Sequence, residues 1–303
     1  KDTIKYSTTP DYRRKTLRRL LDCKPLSQFL EAHSPISALI AENVVTEHNG
    51  ISNFFDGFWS SSLTDSTEMG KPDIEALDIN TRLANINNIF EVTSKPLIMD
   101  ADTGGKEEHF AINVKSMERL GISAVIIEDK TGLKKNSLFG NDVEQDQEDP
   151  NIFGQKIRRA RDSIATDNFM IIARIESLIL EKGLNDALER ARIYIDAGAH
   201  GIMIHSRNKS PKEIFDFTAT YKRENPGIPL VVVPTSFNTV TKKEFENAGV
   251  NILIYANHML RSSYPAMWNT ALGILKHGRS LEIENQLISV NQILELILNF
   301  QQH

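Results

Sequence analysis

Asp100 and Asp102 stand two residues apart at the end of the apolar run KPLIM, and Glu128 and Asp129 close another such run, ISAVII. On an extended strand, residues two apart face the same side. Asp100 and Asp102 therefore form a pair of like charges, and Glu128 is a candidate third member. Carboxylates gathered together raise one another's pKa and are costly without cations. A hard cation with oxygen ligands answers that cost, and Mg2+ takes one or two carboxylates directly while keeping several waters. No cysteine cluster and no clear His-x-x-x-His spacing supports zinc. Lys134, Arg174 and His205 supply positive or donor groups for the other half of a site. A substrate acid carrying a carboxylate and a phosphoryl group satisfies both halves. Neither a Walker A motif nor G-x-G-x-x-G is present, so the usual marks of nucleotide binding are missing.

These residues need elements to hold them. Short apolar runs predict eight strands, at 28–32, 54–59, 96–100, 123–128, 169–174, 201–205, 229–234 and 250–256. Helical spacing fills the intervals, as in LDINTRLANINNIFEVT (77–93) and LNDALERARIYIDAG, which stops at Gly198. ISALIAENVVTEHNG also has the spacing of a helix, and NFFDGFWSSS at 53–62 reads as a strand entering a hydroxyl-rich turn. Thr241 and Glu244 fit a capping box. The acidic tract 141–150 reads as a solvated loop. The runs are continuously apolar rather than alternating, so both sheet faces are covered. Eight such units predict an α/β fold of the (β/α)8 TIM type, with additional N- and C-terminal helices. A doubly wound sheet is the alternative. The expected organisation is a single domain over 1–303, with the barrel core at about 26–265 and a helical segment at about 266–303.

Strand after strand ends in polar residues: Glu31 and His33; Trp59 to Ser62; Asp100 and Asp102; Glu128 to Lys130; Arg174 and Glu176; then His205 and Ser206, Thr235 and Ser236, Asn257 and His258. Each has a structural reading by itself. Asp102 suits a turn or helix cap, His205 a hydrogen-bonded interior position, Lys134 and Lys135 solvated cations. Arg174 can pair with Glu176 or Glu128, and Trp59 can pack the rim. In a barrel, however, C-terminal strand ends share one mouth, and a purely structural barrel has no need of acids and bases at the same end each time.

Bulk properties set outer limits. The chain has 303 residues with a formal net charge of −5, which argues against a nucleic-acid surface but leaves room for a local cationic pocket. A single cysteine, Cys23, permits no internal disulfide and leans toward a cytoplasmic location. No run of about 18 apolar residues is present, so no membrane helix is expected. The first residues have no apolar signal core, and the absent initiator Met points to a processed or trimmed chain.

The stretches FLEAHS, GFWSSSL, MDADTGG, IEDKTGLKKNSL, IARIES, GIMIHS, VVVPTSF and IYANHMLR occur in order over roughly 20–264. Together they resemble the isocitrate lyase and phosphoenolpyruvate mutase superfamily, and within it the phosphoenolpyruvate mutases. EDK followed by K-x-N-S-L is the most specific element. The resemblance implies interconversion of phosphoenolpyruvate and phosphonopyruvate, forming the C–P bond of phosphonate biosynthesis with Mg2+. It implies that Asp100 touches the metal directly, while Asp102, Glu128 and Asp73 hold its waters. Ser61 and Ser62 match the turn whose backbone donors hold the substrate carboxylate or enolate. Trp59 matches a wall for the pyruvyl part, Arg174 a group spanning the substrate, and His205 a phosphoryl-side donor. Lys134, Asn136 and Ser137 match a mobile gating loop. Homodimers or homotetramers formed by exchanging C-terminal helices are also implied, as is coupling to a phosphonopyruvate decarboxylase.

The pattern is not uniform. Ser62 stands where mutases commonly have glycine, so its side chain is expected to point away from the ligand. DTGGKEEH at 102–109 is one residue shorter than in relatives, and the 60–73 segment is unusually rich in hydroxyls and charges. The superfamily's lyases usually carry a K-K-C-G-H loop with a catalytic cysteine, which this chain lacks. Phosphonopyruvate hydrolase is the nearer alternative, and commonly has threonine where this chain has Asn136. A carboxylate- or phosphonate-binding barrel without catalysis is the non-enzyme alternative.

Overall fold

The computed structural model describes residues 8–48, 50–142 and 144–296. The chain divides into two compact units, Lys1–Met259 and Leu260–His303. In the first, eight parallel strands close into a barrel: β1 (Ser27–Glu31), β2 (Gly57–Ser60), β3 (Leu97–Asp100), β4 (Ala124–Glu128), β5 (Met170–Ile175), β6 (Gly201–Ile204), β7 (Leu230–Val232) and β8 (Ile252–Tyr255). β1 seals the ring by pairing with both β2 and β8, with Phe29 opposite Gly57 and Ile254. All eight predicted strands are present, shifted by at most a few residues.

Seven of the eight strands are buried along their whole length, and β8 is buried except at Tyr255, which explains the continuous apolar runs. One set of side chains, including Phe29, Trp59, Ile98, Ile126, Ile172 and Ile254, fills the barrel interior. The opposite set meets the surrounding helices. Local chemistry stops and starts those helices. Asp78 caps Ile79–Glu91, Asp149 caps Pro150–Arg161, and the capping box of Thr241 and Glu244 opens Lys242–Ala248 as predicted. The N-terminal helix α1 (Pro10–Cys23) adds Leu17 to the interior cluster. Arg13 of α1 donates to the carbonyls of Thr93 and Lys95, each at 2.6 Å, and stacks 3.9 Å from the Phe90 ring. These anchors lie just before β3, at the end of the barrel opposite the polar mouth.

Three expectations change. The helix expected over 36–50 ends at Asn43, and Val45–His48 pairs antiparallel with Ile51–Phe54. Consecutive Val44, Val45 and Thr46 are β-branched and favour extended backbone over a helical turn. The strand read from 53 therefore splits: Phe54 belongs to that hairpin, and the barrel strand begins at Gly57. The acidic 141–150 tract is also more ordered than a solvated loop. Asp146–Gln147 pairs with Lys130–Thr131, and Asp149 accepts from the backbone N–H of Asn151 and Ile152.

The second unit carries most of the helix His258–His277, a 3-10 turn at Leu281–Gln286 and the helix Val290–Leu296. Within it, Met267, Trp268 and Leu275 are exposed. No helix among the described residues is long and apolar enough to cross a membrane.

A Cβ added at Gly57 would lie closer to the Phe29 ring and the Pro96 carbonyl oxygen than carbon atoms approach. Gly57→Ala is therefore expected to lose about 1–3 kcal/mol of stability through overpacking. Urea unfolding checks this, and a midpoint equal to the parent's would contradict the packing of β1 on β2.

Candidate active site

The mouth of the barrel gathers charge from strands that are distant in sequence. Asp100 ends β3, and its Oδ1 accepts the backbone N–H of Asp102 at 3.1 Å. Asp102 itself takes a left-handed backbone conformation, φ 56°. Such a conformation is uncommon outside glycine, although Asp is among the residues that tolerate it, and it is often found at functional turns. Glu128 ends β4 and is buried, with neither carboxylate oxygen hydrogen-bonded. Among the described residues it forms ion pairs with Lys130 and Arg174, each at 3.3 Å. Asp73 arrives from the segment after the helix Ser62–Glu68.

Lys134 ties these carboxylates together. Its ammonium donates to Asp102, to Asp73 Oδ1 at 2.8 Å and to Ser62 Oγ at 2.6 Å. The loop after β4 is thereby folded over the mouth. Asn136 Nδ2 donates to Asp73 Oδ2 at 2.9 Å. Ser137 Oγ donates to Glu176 and accepts from Arg174 at 2.7 Å and from Lys130 at 2.8 Å. Lys130 also donates to the Lys135 carbonyl at 2.8 Å, bracing the loop from below.

Arg174 and Glu176, at the end of β5, make a 2.6 Å hydrogen bond. Arg174 also lies 3.0 Å from His205 Nδ1. Because a guanidinium only donates, Nδ1 is the acceptor there and the neutral ring carries its proton on Nε2. Burial and the Arg174 charge both lower the His205 pKa, which keeps the ring neutral. Burial pushes Asp100 up, but Lys134, Arg174 and Arg82 outweigh it and the carboxyl ends below its ordinary range. For Asp102 burial wins, and its pKa rises. Burial lifts Glu128 to about 7. Burial opposes the Lys134 charge, yet the surrounding carboxylates raise its pKa.

Eleven of the twelve sequence-predicted site residues line one cavity. Trp59, Ser61 and Ser62 come from the β2 side, Asp73, Asp100 and Glu128 form the acidic wall, and Lys134, Asn136 and Ser137 descend from the loop. Arg174 and His205 complete it, with Thr235 and Asn257 from β7 and β8. Asp102 is not part of that lining but is joined to it through Lys134. Glu31 and His33 pair with each other at 2.5 Å and do not line the cavity. Ser62 departs from expectation: its hydroxyl does not turn away but donates to Asp100 Oδ2 at 2.9 Å. The added side chain fits because Asp100 and Lys134 take up both its donor and its acceptor.

Sequence reading passed over Arg82. It is buried on the helix Ile79–Glu91 and donates to Asp65, to Ser60 Oγ and to the Asp100 carbonyl, with Asp102 3.6 Å away. The available signal was an arginine within the apolar teeth of that helix. The oxygen-only donor set and the buried oxygens of Glu128, which are ion-paired but accept no hydrogen bond, fit Mg2+. Among the described residues, no three His, Cys, Asp or Glu side chains are arranged to hold a metal ion. The Lys134 ammonium lies between Asp73 and Asp102 and serves as their counter-charge.

The family model described as phosphoenolpyruvate phosphomutase matches residues 17–275. The chain belongs to the phosphoenolpyruvate phosphomutase family. It is an enzyme of the superfamily that joins these mutases to isocitrate lyase. A phosphoenolpyruvate phosphomutase of Tetrahymena pyriformis is 34% identical over 92% of this chain and 89% of its own length. A phosphonopyruvate hydrolase of Variovorax sp. (strain Pal2) is 35% identical over 92% of this chain and 93% of its own. A solved phosphonopyruvate hydrolase complex with oxalate and Mg2+ superimposes with a TM-score of 0.82 at 34% identity, covering 95% of each chain. The family thus spans mutase and hydrolase activities on one fold.

The raised Glu128 pKa sets a pH signature for the metal-free protein. Between pH 4.5 and about 7 the folded state keeps a proton that the unfolded chain releases. This contribution therefore lowers stability as pH rises through that window, and the loss is complete above it. Glu128→Gln removes the effect, so its stability relative to the parent is expected to improve from pH 5 to pH 8. Thermal melts across that range check this, and a pH-independent difference would contradict it.

Proposed function

We propose that the protein is a phosphoenolpyruvate mutase, interconverting phosphoenolpyruvate and phosphonopyruvate by moving the phosphoryl group between oxygen and carbon. The observation that carries the choice is Asn136. It lines the cavity and spends one N–H on Asp73, leaving the other for a phosphoryl oxygen. An amide at that place holds the phosphoryl group, whereas a hydroxyl can also relay a proton from water.

In this reading Asp100 would hold Mg2+ directly, and Asp102, Glu128 and Asp73 would hold its waters. When bound, Mg2+ supplies charge stabilisation for the enolate oxygen. The backbone N–H groups near Ser61 and Ser62 hold the substrate carboxylate, and Trp59 walls its pyruvyl part. Arg174, Asn136 and the Nε2–H of His205 hold the transferring phosphoryl group as charge spreads over its oxygens. Closure of the Lys134–Ser137 loop excludes water, so that the metaphosphate-like group meets the enolate carbon and no other nucleophile.

The second reading, hydrolysis of phosphonopyruvate to pyruvate and phosphate, is supported by a relative of that activity at comparable identity. The reading includes a cytoplasmic location, supported by the single cysteine, Cys23. A following decarboxylase would draw off phosphonopyruvate and so drive flux toward the C–P bond. We also propose a homodimer or homotetramer. The exposed apolar residues Met267, Trp268 and Leu275 support it. So does a groove in the barrel unit outside β1 and β8, lined by Leu30, Val45, Phe54 and Tyr255.

Phosphorus NMR of the protein with phosphonopyruvate and Mg2+ distinguishes the reactions. Phosphoenolpyruvate is the expected product, while phosphate and pyruvate alone would establish the hydrolase. Asn136→Ala is expected to slow isomerisation by about 10²-fold, the usual effect of deleting one transition-state donor. An unaltered rate would remove that amide from the mechanism. Light scattering on a sizing column is expected to give a dimer or tetramer that Trp268→Glu dissociates, and a monomeric parent would exclude both.

A further inference from the structure

Ser62 is tied into the site through a side chain that the proposed chemistry does not use. It is buried, and its hydroxyl is doubly committed. It accepts from Lys134 Nζ at 2.6 Å and donates to Asp100 Oδ2 at 2.9 Å. With one acceptor bond and one donor bond of near-ideal length, the hydroxyl connects a loop cation to a strand-end carboxylate 34 residues away in sequence.

The loop has other anchors, but they differ in kind. Asn136 and Lys134 reach Asp73, which stands on an irregular segment outside the barrel strands. Ser137 reaches Arg174 and Glu176 at the end of β5. Ser62 joins Lys134 to the helix that starts after β2 and, through Asp100, to the end of β3, beside the direct ion pair of Lys134 with Asp102. Both of its bonds involve a charged partner, the class of hydrogen bond with the largest net effect.

We propose that the Ser62 hydroxyl is a positioning residue that latches the 130–142 loop shut by seating Lys134 against Asp100, and so sets how strictly water is kept from the phosphoryl group. The consequence for products rests on the mutase reading above; the latch itself does not. When the loop opens early, water competes with the enolate carbon. The C–P bond of phosphonopyruvate breaks, the water oxygen bonds to phosphorus, and its protons end on the pyruvate methyl carbon and the released phosphate. Ser62 is thereby a determinant of isomerisation against hydrolysis, acting through Lys134 rather than on the substrate.

The test measures hydrogen exchange of loop peptides in four metal-free proteins: the parent, Ser62→Ala, Lys134→Met and the double variant. Ser62→Ala is expected to speed loop exchange about tenfold, the effect of losing one charge-assisted hydrogen bond. In the Lys134→Met background the same change is expected to add little, because the partner is already gone. Equal acceleration in both backgrounds, or none in either, would overturn the latch, since a cavity left by the missing hydroxyl acts whether or not Lys134 is present. Ser62→Gly, which also removes the hydroxyl, must reproduce the Ser62→Ala result. With phosphonopyruvate and Mg2+, Ser62→Ala is expected to raise the share of phosphate and pyruvate over the parent. An unchanged ratio beside faster exchange would overturn the specificity role. A parent that forms no phosphoenolpyruvate would overturn the mutase reading while leaving the exchange result to decide the latch.

Discussion

Carboxylates crowd one end of this barrel, and their need for positive charge organises everything above them. Asp73, Asp100, Asp102 and Glu128 converge where little water screens them. Like charges in that setting persist only when each finds a cation or keeps a proton. Arg82 answers from beneath, Arg174 from the side and Lys134 from the loop. Glu128, with no hydrogen bond to either oxygen, has its pKa pushed up to about 7 by burial. The loop is folded inward because one of the required charges sits on it.

Charge balance of this kind links binding to motion. A loop lysine that neutralises the acidic wall is both a lid contact and a counter-charge, so whatever else brings positive charge to the wall alters the hold on the lid. Ser137 performs the matching task on the other wall, where Lys130, Arg174 and Glu176 meet at its hydroxyl. The site is therefore built from two clusters, one around Lys134 and one around Ser137, joined by the short stretch of loop that carries Asn136 between them.

Much of this could be read in the sequence because a parallel barrel writes its plan plainly. Strands buried on both faces appear as apolar runs, and their C-terminal ends must share a mouth, so Asp100, Glu128, Arg174 and His205 could be grouped without coordinates. The hairpin at 45–54 was hidden because Val44 and Val45 follow a true helix without a breaker, and apolar spacing alone does not separate the two. Arg82 was hidden for another reason: a buried arginine on a helix looks like any polar residue on a solvated face until its partners are known. Ser62 was legible as a departure from family pattern, but the direction of a hydroxyl depends on χ1 and on Lys134, neither of which sequence spacing encodes.

On the proposed reading, these carboxylates would hold one cation, with Asp100 as its direct ligand. Calorimetric titration of Mg2+ into metal-free protein tests it most directly, with Asp100→Asn as the comparison. The account requires one site per chain in the parent and a loss of at least tenfold in affinity in the variant, as for removal of a ligating charge. A parent that takes up no Mg2+, or a variant that binds it equally well, would contradict it.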